Sequence, residues 1–291
     1  MSVLTSYASE SARDSAVPAS SNTGLCIFRS DTKAIEVSDG TNWLVYDYDS
    51  SIAPALSNSN SVLTDGANDY VAAGNVAAFN SATNFAISFY VNFQTFVANG
   101  SGYNILMMSG SSGASRFIIN AIRNTASTCN TMEIYYLDGG AASMSTSSLS
   151  LVSNTWYHMA LYKAGTNMDF YIDNSLVMSR TNAGTNSAAG TNLRIGSDSL
   201  YSNAYSSNIL VDEFAIWPTD ETSNRTSIYN GGAPADLASI GGTSGNGPDI
   251  WLRMGDNDGG TGTTVTNQGQ SSTTNDGTLT NGASFSTTVP S

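Results

Sequence analysis

A chain of 291 residues has room for a large buried core, yet only 11% of it is charged, against roughly 25% in an average soluble domain. Ser, Thr and Asn supply 104 residues and Gly 27, so hydroxyls and amides must wet the surface, while 40% apolar residues with 14 Tyr and 10 Phe exclude wholesale disorder. The net charge of −13, with Lys33 and Lys163 the only lysines, excludes the clustered cations that nucleic acid or an anionic membrane surface demands, and no run of about 18 apolar residues offers a membrane span.

Residues 1–22 are polar, lack periodicity and contain Pro18; they are expected to form an extended arm that orders against a partner. They also lack the basic start and apolar core of a secretory signal. From Gly24 the pattern becomes β-prone. Leu25–Phe28, Ala34–Val37 and Trp43–Tyr46 are short runs separated by polar turns, the second at Asp39-Gly40. This three-strand meander is too small to stand alone. Residues 1–50 therefore read as an anchoring or oligomerisation segment, with Leu25, Ile27, Phe28, Ile35, Val37 and Trp43 as its contact residues.

A linker with Pro54 spans 51–60, and a single large domain is expected over 61–291. Strand signals follow in series: 69–72, 85–93, 103–108, 116–122, 132–137, 156–163, 168–172, 176–178, 193–195 and 209–217. In Phe85-Ala-Ile-Ser-Phe-Tyr-Val-Asn-Phe93 the odd positions are apolar and the even ones mixed. Period two, with Ser, Asn and Gly between the runs, predicts an antiparallel β-sandwich with one face of each sheet buried. Asp173-Asn174 reads as a tight hairpin turn, and Thr222–Tyr229, after Thr219-Asp220, as the one helical turn. Beyond Gly241-Gly242 the chain is loop-like, apart from Ile250–Met254 and short runs at 263–266, 277–279 and 283–285, which are too few for a second sandwich and should complete the first. Cys26 and Cys129 cannot frame a disulfide scaffold and read as buried free thiols.

Taken in order, Leu63-Thr-Asp-Gly66-Ala-Asn-Asp69-Tyr-Val71, Phe85–Val91, Asn154-Thr-Trp156-Tyr-His158-Met-Ala160, Phe170-Tyr-Ile-Asp173, Leu193-Arg-Ile-Gly196 and Val211-Asp-Glu213-Phe-Ala-Ile216 resemble the laminin-G-like branch of the concanavalin A-type jelly rolls. The resemblance covers about residues 61–232 and implies an all-β, two-sheet antiparallel jelly roll that binds glycan or protein more often than it catalyses. Trp251-Leu-Arg-Met-Gly255, with Asn275-Asp-Gly277-Thr-Leu279, is similar to the opening strand of such domains. Its place at the end of the chain implies a permuted sandwich, with Ile250–Met254 next to an N-terminal strand of the domain. Gly24–Phe28, Asp31-Thr-Lys33, Ile35-Glu-Val37 and Asp39-Gly40-Thr-Asn-Trp43 resemble short modules at the head of bacteriophage fibre and appendage proteins, of the kind found in marine, cyanobacterial-type phages.

That second resemblance implies a surface-exposed virion structural protein (fibre, head decoration or tail appendage). Other virion proteins would meet the N-terminal segment, the chain would be a homotrimer, and a cell-surface glycan would meet the jelly roll. A soluble lectin outside any virion is the alternative. No enzyme is expected. Jelly-roll glycosidases aim paired carboxylates from one strand, whereas the five glutamates form no such array and the adjacent Asp212 and Glu213 should point to opposite faces. His158, the single histidine, is expected at an exposed or core-edge position, and no Gly-x-Ser-x-Gly elbow accompanies it. Trp156, Trp217 and Trp251 read as core residues. The candidate glycan site is Tyr201-Ser-Asn203-Ala-Tyr205, where flat rings between two strands could stack on sugar. No cofactor is required; Asp256-Asn-Asp258-Gly-Gly is the candidate Ca²⁺ cluster, with a solvated turn as the favoured reading.

Overall fold

Short β-prone runs in the first fifty residues and the longer alternating runs after residue 60 give two separate units, Met1–Leu56 and Ser57–Ser291, in the computed structural model. The structure describes residues 5–30, 34–46, 56–76, 79, 82–98, 102–112, 115–137, 141–146, 148–181, 183–184 and 192–291. The linker around Pro54 and the Asp31-Thr-Lys33 turn lie outside the described residues.

The first unit contains strand β1 (Ser6–Tyr7), helix α1 (Glu10–Ala16) and strands β2 (Cys26–Arg29), β3 (Ala34–Ser38) and β4 (Trp43–Tyr46), in a sheet ordered β1-β2-β3-β4. The meander is as expected, but the expected arm is folded from residue 5 onward. Ser9 caps the helix by accepting the Ala12 N–H, and β1 adds to β2 in parallel. The seven-residue helix is stabilised by a tertiary contact. The Arg13 guanidinium reaches the buried Glu36 carboxylate, which also accepts from Arg29 at 3.1 Å. Opposite this polar side, the sheet presents Phe28, Ile35, Val37 and Leu44, with Ile35 and Leu44 exposed.

The second unit is a sandwich built from β5 (Ser61–Leu63), β6 (Tyr70–Ala72), β7 (Asn84–Thr95), β8 (Tyr103–Ser112), β9 (Ser115–Arg123), β10 (Thr128–Leu137), β11 (Ala141–Thr146), β12 (Leu151–Val152), β13 (Trp156–Ala164), β14 (Asn167–Ile172) and β15 (Ser175–Arg180), followed by β16 (Arg194–Ile195), β17 (Asn208–Trp217), helix α2 (Arg225–Tyr229), β18 (Ile250–Leu252), β19 (Thr264–Val265), β20 (Gly277–Thr280) and β21 (Ser284–Ser286). The front sheet runs β11-β10-β9-β8-β16-β6-β20-β19, with β12 also on β10. The back sheet runs β15-β14-β13-β7-β17-β5-β21, with β18 on β17. The pairings described in both are antiparallel, as an alternating pattern requires. Asp173 and Asn174 both have positive φ (47° and 62°) and close the β14–β15 turn, which matches the right-handed twist of the strands it joins.

The core lies between the sheets. Phe85, Ile87, Phe89, Val91 and Phe93 of β7 enter from the back and Phe117, Ile119 and Ala121 of β9 from the front. Phe79 stacks on Phe117 at 5.2 Å, with Phe85 edge-on to both. Strand β18 does not lie beside an N-terminal strand. It pairs with Phe214–Ile216 of β17, on the edge that β5 occupies at Leu210–Val211, because β7 takes the other edge of β17. The chain end closes both sheets, β20 against β6 and β21 against β5.

β-bulges shift the phase of the alternation, among them one in β8 and one in β17. One leaves Leu106 unpaired between Ile105 and Met107, so Leu106 and Met107 both enter the core while Ile105 and Met108 face out. The other lies between Asp212 and Ala215, with Glu213 at φ 46°. It overturns the expectation that Asp212 and Glu213 oppose each other. Val211 and then Phe214 point into the core, while Glu213 joins Trp251 and Arg253 on the outer side with Asp212. Cys129 is buried as expected, whereas Cys26 is exposed, on the side of its small sheet that it shares with Ile35 and Leu44, away from the helix α1 contacts to Glu36.

Candidate functional site

The outward-facing positions of the front sheet form a cleft of about 340 Å³. Since successive side chains of a strand point to opposite faces, the core phase of β9 and β10 leaves Arg116, Ile118, Asn120, Glu133 and Tyr135 facing out. Ile105, Met108 and Ile118 make an apolar floor, and Tyr103, Tyr135, Tyr201 and Tyr205 the walls.

The loop after β16 supplies two of those walls and is held by one buried carboxylate. Asp198 accepts the backbone N–H of Leu200 and Tyr201 on Oδ1 and that of Tyr205 on Oδ2, so its charge is spent on ordering the loop. Ser199 and Ser207 tie the loop to the carbonyls of Gly110 and Ile105. Tyr205 packs edge-on to Tyr103 at 5.9 Å and to Tyr201 at 5.4 Å. Asn203 turns the other way, its Oδ1 accepting from Arg194 Nη1 at 2.8 Å and from Ser197 Oγ at 3.3 Å. Of the three residues expected to hold glycan, the structure therefore brings Tyr201 and Tyr205 to the cleft and gives Asn203 to the loop.

The polar groups of the cleft do not stand out from the sequence alone. The Arg116 guanidinium lies 4.4 Å from the Tyr135 ring centre and donates to the Tyr201 hydroxyl at 2.7 Å. Asn120 donates to Glu133 Oε2 at 3.2 Å, while its own Oδ1 is buried without a hydrogen-bond partner. Their signal is Arg116-x-Ile-x-Asn120 and Glu133-x-Tyr135, where polar and aromatic residues occupy the non-core phase of strands. An apolar floor, aromatic walls and a few fixed polar groups suit a flat ring with one CH face and several hydroxyls.

The remaining candidates lie elsewhere. Asp256 Oδ1 accepts the backbone N–H of Ser59 and Asn60 and the Ser59 hydroxyl, and its Oδ2 meets Arg253 at 3.2 Å. Asp258 Oδ2 accepts the Thr266 N–H at 2.7 Å. Among the described residues no group of three or more His, Cys, Asp or Glu could hold a metal ion. In the N-terminal unit, Ile27 is fully buried, Trp43 lies 5.2 Å beneath the Arg13 guanidinium, and Phe28, Ile35 and Val37 share the opposite side of the sheet. Leu25, just before β2, is exposed.

His158 is neither exposed nor at the core edge. It sits on the outer side of the back sheet between Tyr90 and Tyr229, with Nε2 at 2.8 Å from Ser88 Oγ, and burial pushes its pKa down to about 3. Trp217 and Trp251 are buried on that same outer side, their indole N–H groups donating to the Ile240 carbonyl and to Glu213, while Trp156 is half-buried. Desolvation raises the pKa of Asp212 well above its ordinary value, with the charge of Glu213 adding to it, and raises that of Glu213 to about 7, where Arg253 and the Trp251 indole oppose the shift and Asp256 adds to it.

The Laminin_G_3 model, described as the concanavalin A-like lectin/glucanases superfamily, matches residues 65–225, more than half of the chain. A solved structure from Bacteroides ovatus, provisionally described as a carbohydrate-binding protein, superposes with a TM-score of 0.53 at 16% identity. The alignment covers 81% of this chain and 62% of that one. A heptameric pentraxin from Limulus polyphemus gives 0.45 at 12% identity over 59% of this chain and 82% of that one. The tailspike protein 2 domain of bacteriophage CBA120 gives 0.45 at 15% over 60% and 27%. At these identities the likeness is one of fold. No curated protein matched the chain.

Proposed function

The chain belongs to the concanavalin A-like lectin/glucanases superfamily, and on that footing we propose that it binds glycan in the front-sheet cleft, as the displayed module of a virion structural protein. The observation that carries the binding role is the cleft itself, with four tyrosines around an apolar floor and Glu133 and Asn120 placed to meet hydroxyls. Binding without cleavage suits this set. Of its two carboxylates, Asp198 is committed to three backbone amides, which leaves Glu133 without the second group that glycoside hydrolysis needs.

The virion setting rests on the resemblance of residues 24–43 to phage fibre modules and on a surface wetted by hydroxyls and amides more than by charge. In this reading the open side of the small sheet, with Phe28, Ile35, Val37 and Leu44, docks onto other virion proteins or onto copies of itself in a homotrimer. A glycan array probed with the full chain tests the first part; binding should be lost in Glu133→Ala and Tyr205→Ala. Mass spectrometry of purified particles tests the second. Finding the chain among secreted proteins and never in particles returns it to a soluble lectin.

A further inference from the structure

We propose that the front-sheet cleft selects an acidic sugar, a uronate or sialoside whose carboxylate is taken by Arg116 together with the Tyr201 hydroxyl. The proposal rests on the glycan-binding reading and adds the class of ligand. Arg116 is the one cation lining the cleft among the described residues, and no described carboxylate forms an ion pair with it. The buried arginines Arg13, Arg29 and Arg253 each have a carboxylate partner within 4.0 Å, whereas the half-buried Arg194 and Arg225 lie over tyrosine rings and bond to Asn203 and Asn174 of neighbouring loops. Arg116 has instead a tyrosine ring under its plane and a tyrosine hydroxyl at one nitrogen.

That arrangement leaves donors directed at a ligand. The planar guanidinium is fixed by Tyr135, so little side-chain entropy remains to be lost on binding. Its Nη1 donates to Tyr201, so the Tyr201 hydroxyl acts there as acceptor and keeps its own hydrogen to donate. A carboxylate beside both groups would accept from Arg116 and from Tyr201, and charge-assisted bonds of this kind are the strong ones. Asn120, which also lines the cleft, has its Oδ1 buried without a partner, a further acceptor that a ligand hydroxyl would satisfy. Glu133 stands in the same cleft and would repel a second carboxylate, so the set suits one acid group per bound unit with hydroxyls towards Glu133. In a chain of net charge −13, a lone cation among aromatic walls is the local exception to the overall field.

The test is an array of glycans in matched pairs, each uronate or sialoside printed beside its carboxyl-reduced counterpart, probed with the full wild-type chain and with Arg116→Gln. The expected result is that wild type binds acidic members at least tenfold better than their reduced partners and that Arg116→Gln loses about ten- to a hundredfold on the acidic members alone. Arg116→Lys, which keeps the charge without the fork, should recover part of the difference, and thermal melting of each variant separates loss of binding from loss of fold. Equal binding of acidic and reduced members, or preference unchanged in Arg116→Gln, overturns the acidic-sugar assignment and leaves the glycan reading standing. No binding of any member by the folded wild type overturns both.

Discussion

The two sheets of the sandwich have outer faces of opposite fate. On the front, Arg116, Asn120, Glu133 and Tyr135 line an open cleft. On the back, Ser88, Tyr90, Asn92, His158 and Asp212 occupy equivalent non-core positions and are all buried. The difference comes from the chain beyond β17. Residues after Trp217 return over the back sheet, where Tyr229 packs on His158, Arg225 lies 4.5 Å from the Tyr171 ring and Ile240 accepts from Trp217. Polar residues on a covered face become internal structure and must be hydrogen-bonded or neutral, whereas on an open face they remain available to a ligand.

The largest expected effect that sharpens this contrast is Glu213→Ala. It removes the acceptor of Trp251 and leaves Arg253 buried without its closest carboxylate, and should cost about 3–5 kcal/mol in urea unfolding. Glu133→Ala on the front, which takes one bond from Asn120 beside the open cleft, should cost no more than about 1 kcal/mol while abolishing glycan binding. Equal destabilisation by the two would break the distinction between the faces.

The buried acid pair also gives the back face a pH signature. Asp212 and Glu213 have folded pKa values raised by desolvation, so between about pH 4 and 7 the unfolded chain has released protons that the folded one still holds. Their contribution is therefore full below the unfolded pKa and falls as pH rises, by about 1.4 kcal/mol per pH unit for each proton retained. The proton settles on Asp212, whose Oδ2 is buried without a partner, while Glu213 has Arg253 and Trp251. Chemical denaturation across that window should show a shallower fall in Asp212→Asn than in wild type. A parallel profile would refute the assignment. His158 acts in the opposite sense: with its folded pKa near 3, its stabilisation is lost as pH falls below about 6.5.

Ser88→Ala should cost about 1–3 kcal/mol, because His158 Nδ1 is already buried without a partner and Nε2 would join it. Differential scanning calorimetry reads this directly, and an unchanged melting temperature would mean that the back face tolerates orphaned polar groups. The smallest stability effect is expected at Tyr201→Ala, whose side chain is 48% exposed. It should shift unfolding by less than about 0.5 kcal/mol. Glycan affinity, measured by titration calorimetry, should fall by up to about tenfold through the lost aromatic contact.

Much of the fold was legible in the sequence because its cause is local. Phe85–Phe93 alternates cleanly, and Asp173-Asn174 are residue types that tolerate the positive φ of a tight turn. The short strands β5, β11 and β12 left no such trace: Ala-Ala-Ser-Met-Ser-Thr over Ala141–Thr146 alternates only weakly, and its pairing with β10 places it. Helix α1 was hidden for a related reason. Glu10–Ala16 has no apolar stripe, and its buried residue is Arg13, held by Glu36 from a strand more than twenty residues away.

The candidate site divides in the same way. Tyr201 and Tyr205 could be named from a loop between two strands, but Asn203 could not be told apart from them, since its partner Arg194 precedes the loop and competes with any ligand for its oxygen. Arg116, Asn120, Glu133 and Tyr135 are visible as one set only once two strands, β9 and β10, are laid side by side in register.

The sequence by itself determined an all-β sandwich, its main strands and its tight turns, since period-two burial and turn chemistry are properties of neighbouring residues. Tertiary structure alone decided which outer face stays open, where the bulges at Leu106 and Glu213 shift the alternation, and that Arg116 stands over Tyr135 without an ion pair to any described carboxylate. An alternating strand specifies which side chains share a side, but what that side meets is set by chain segments far away in sequence.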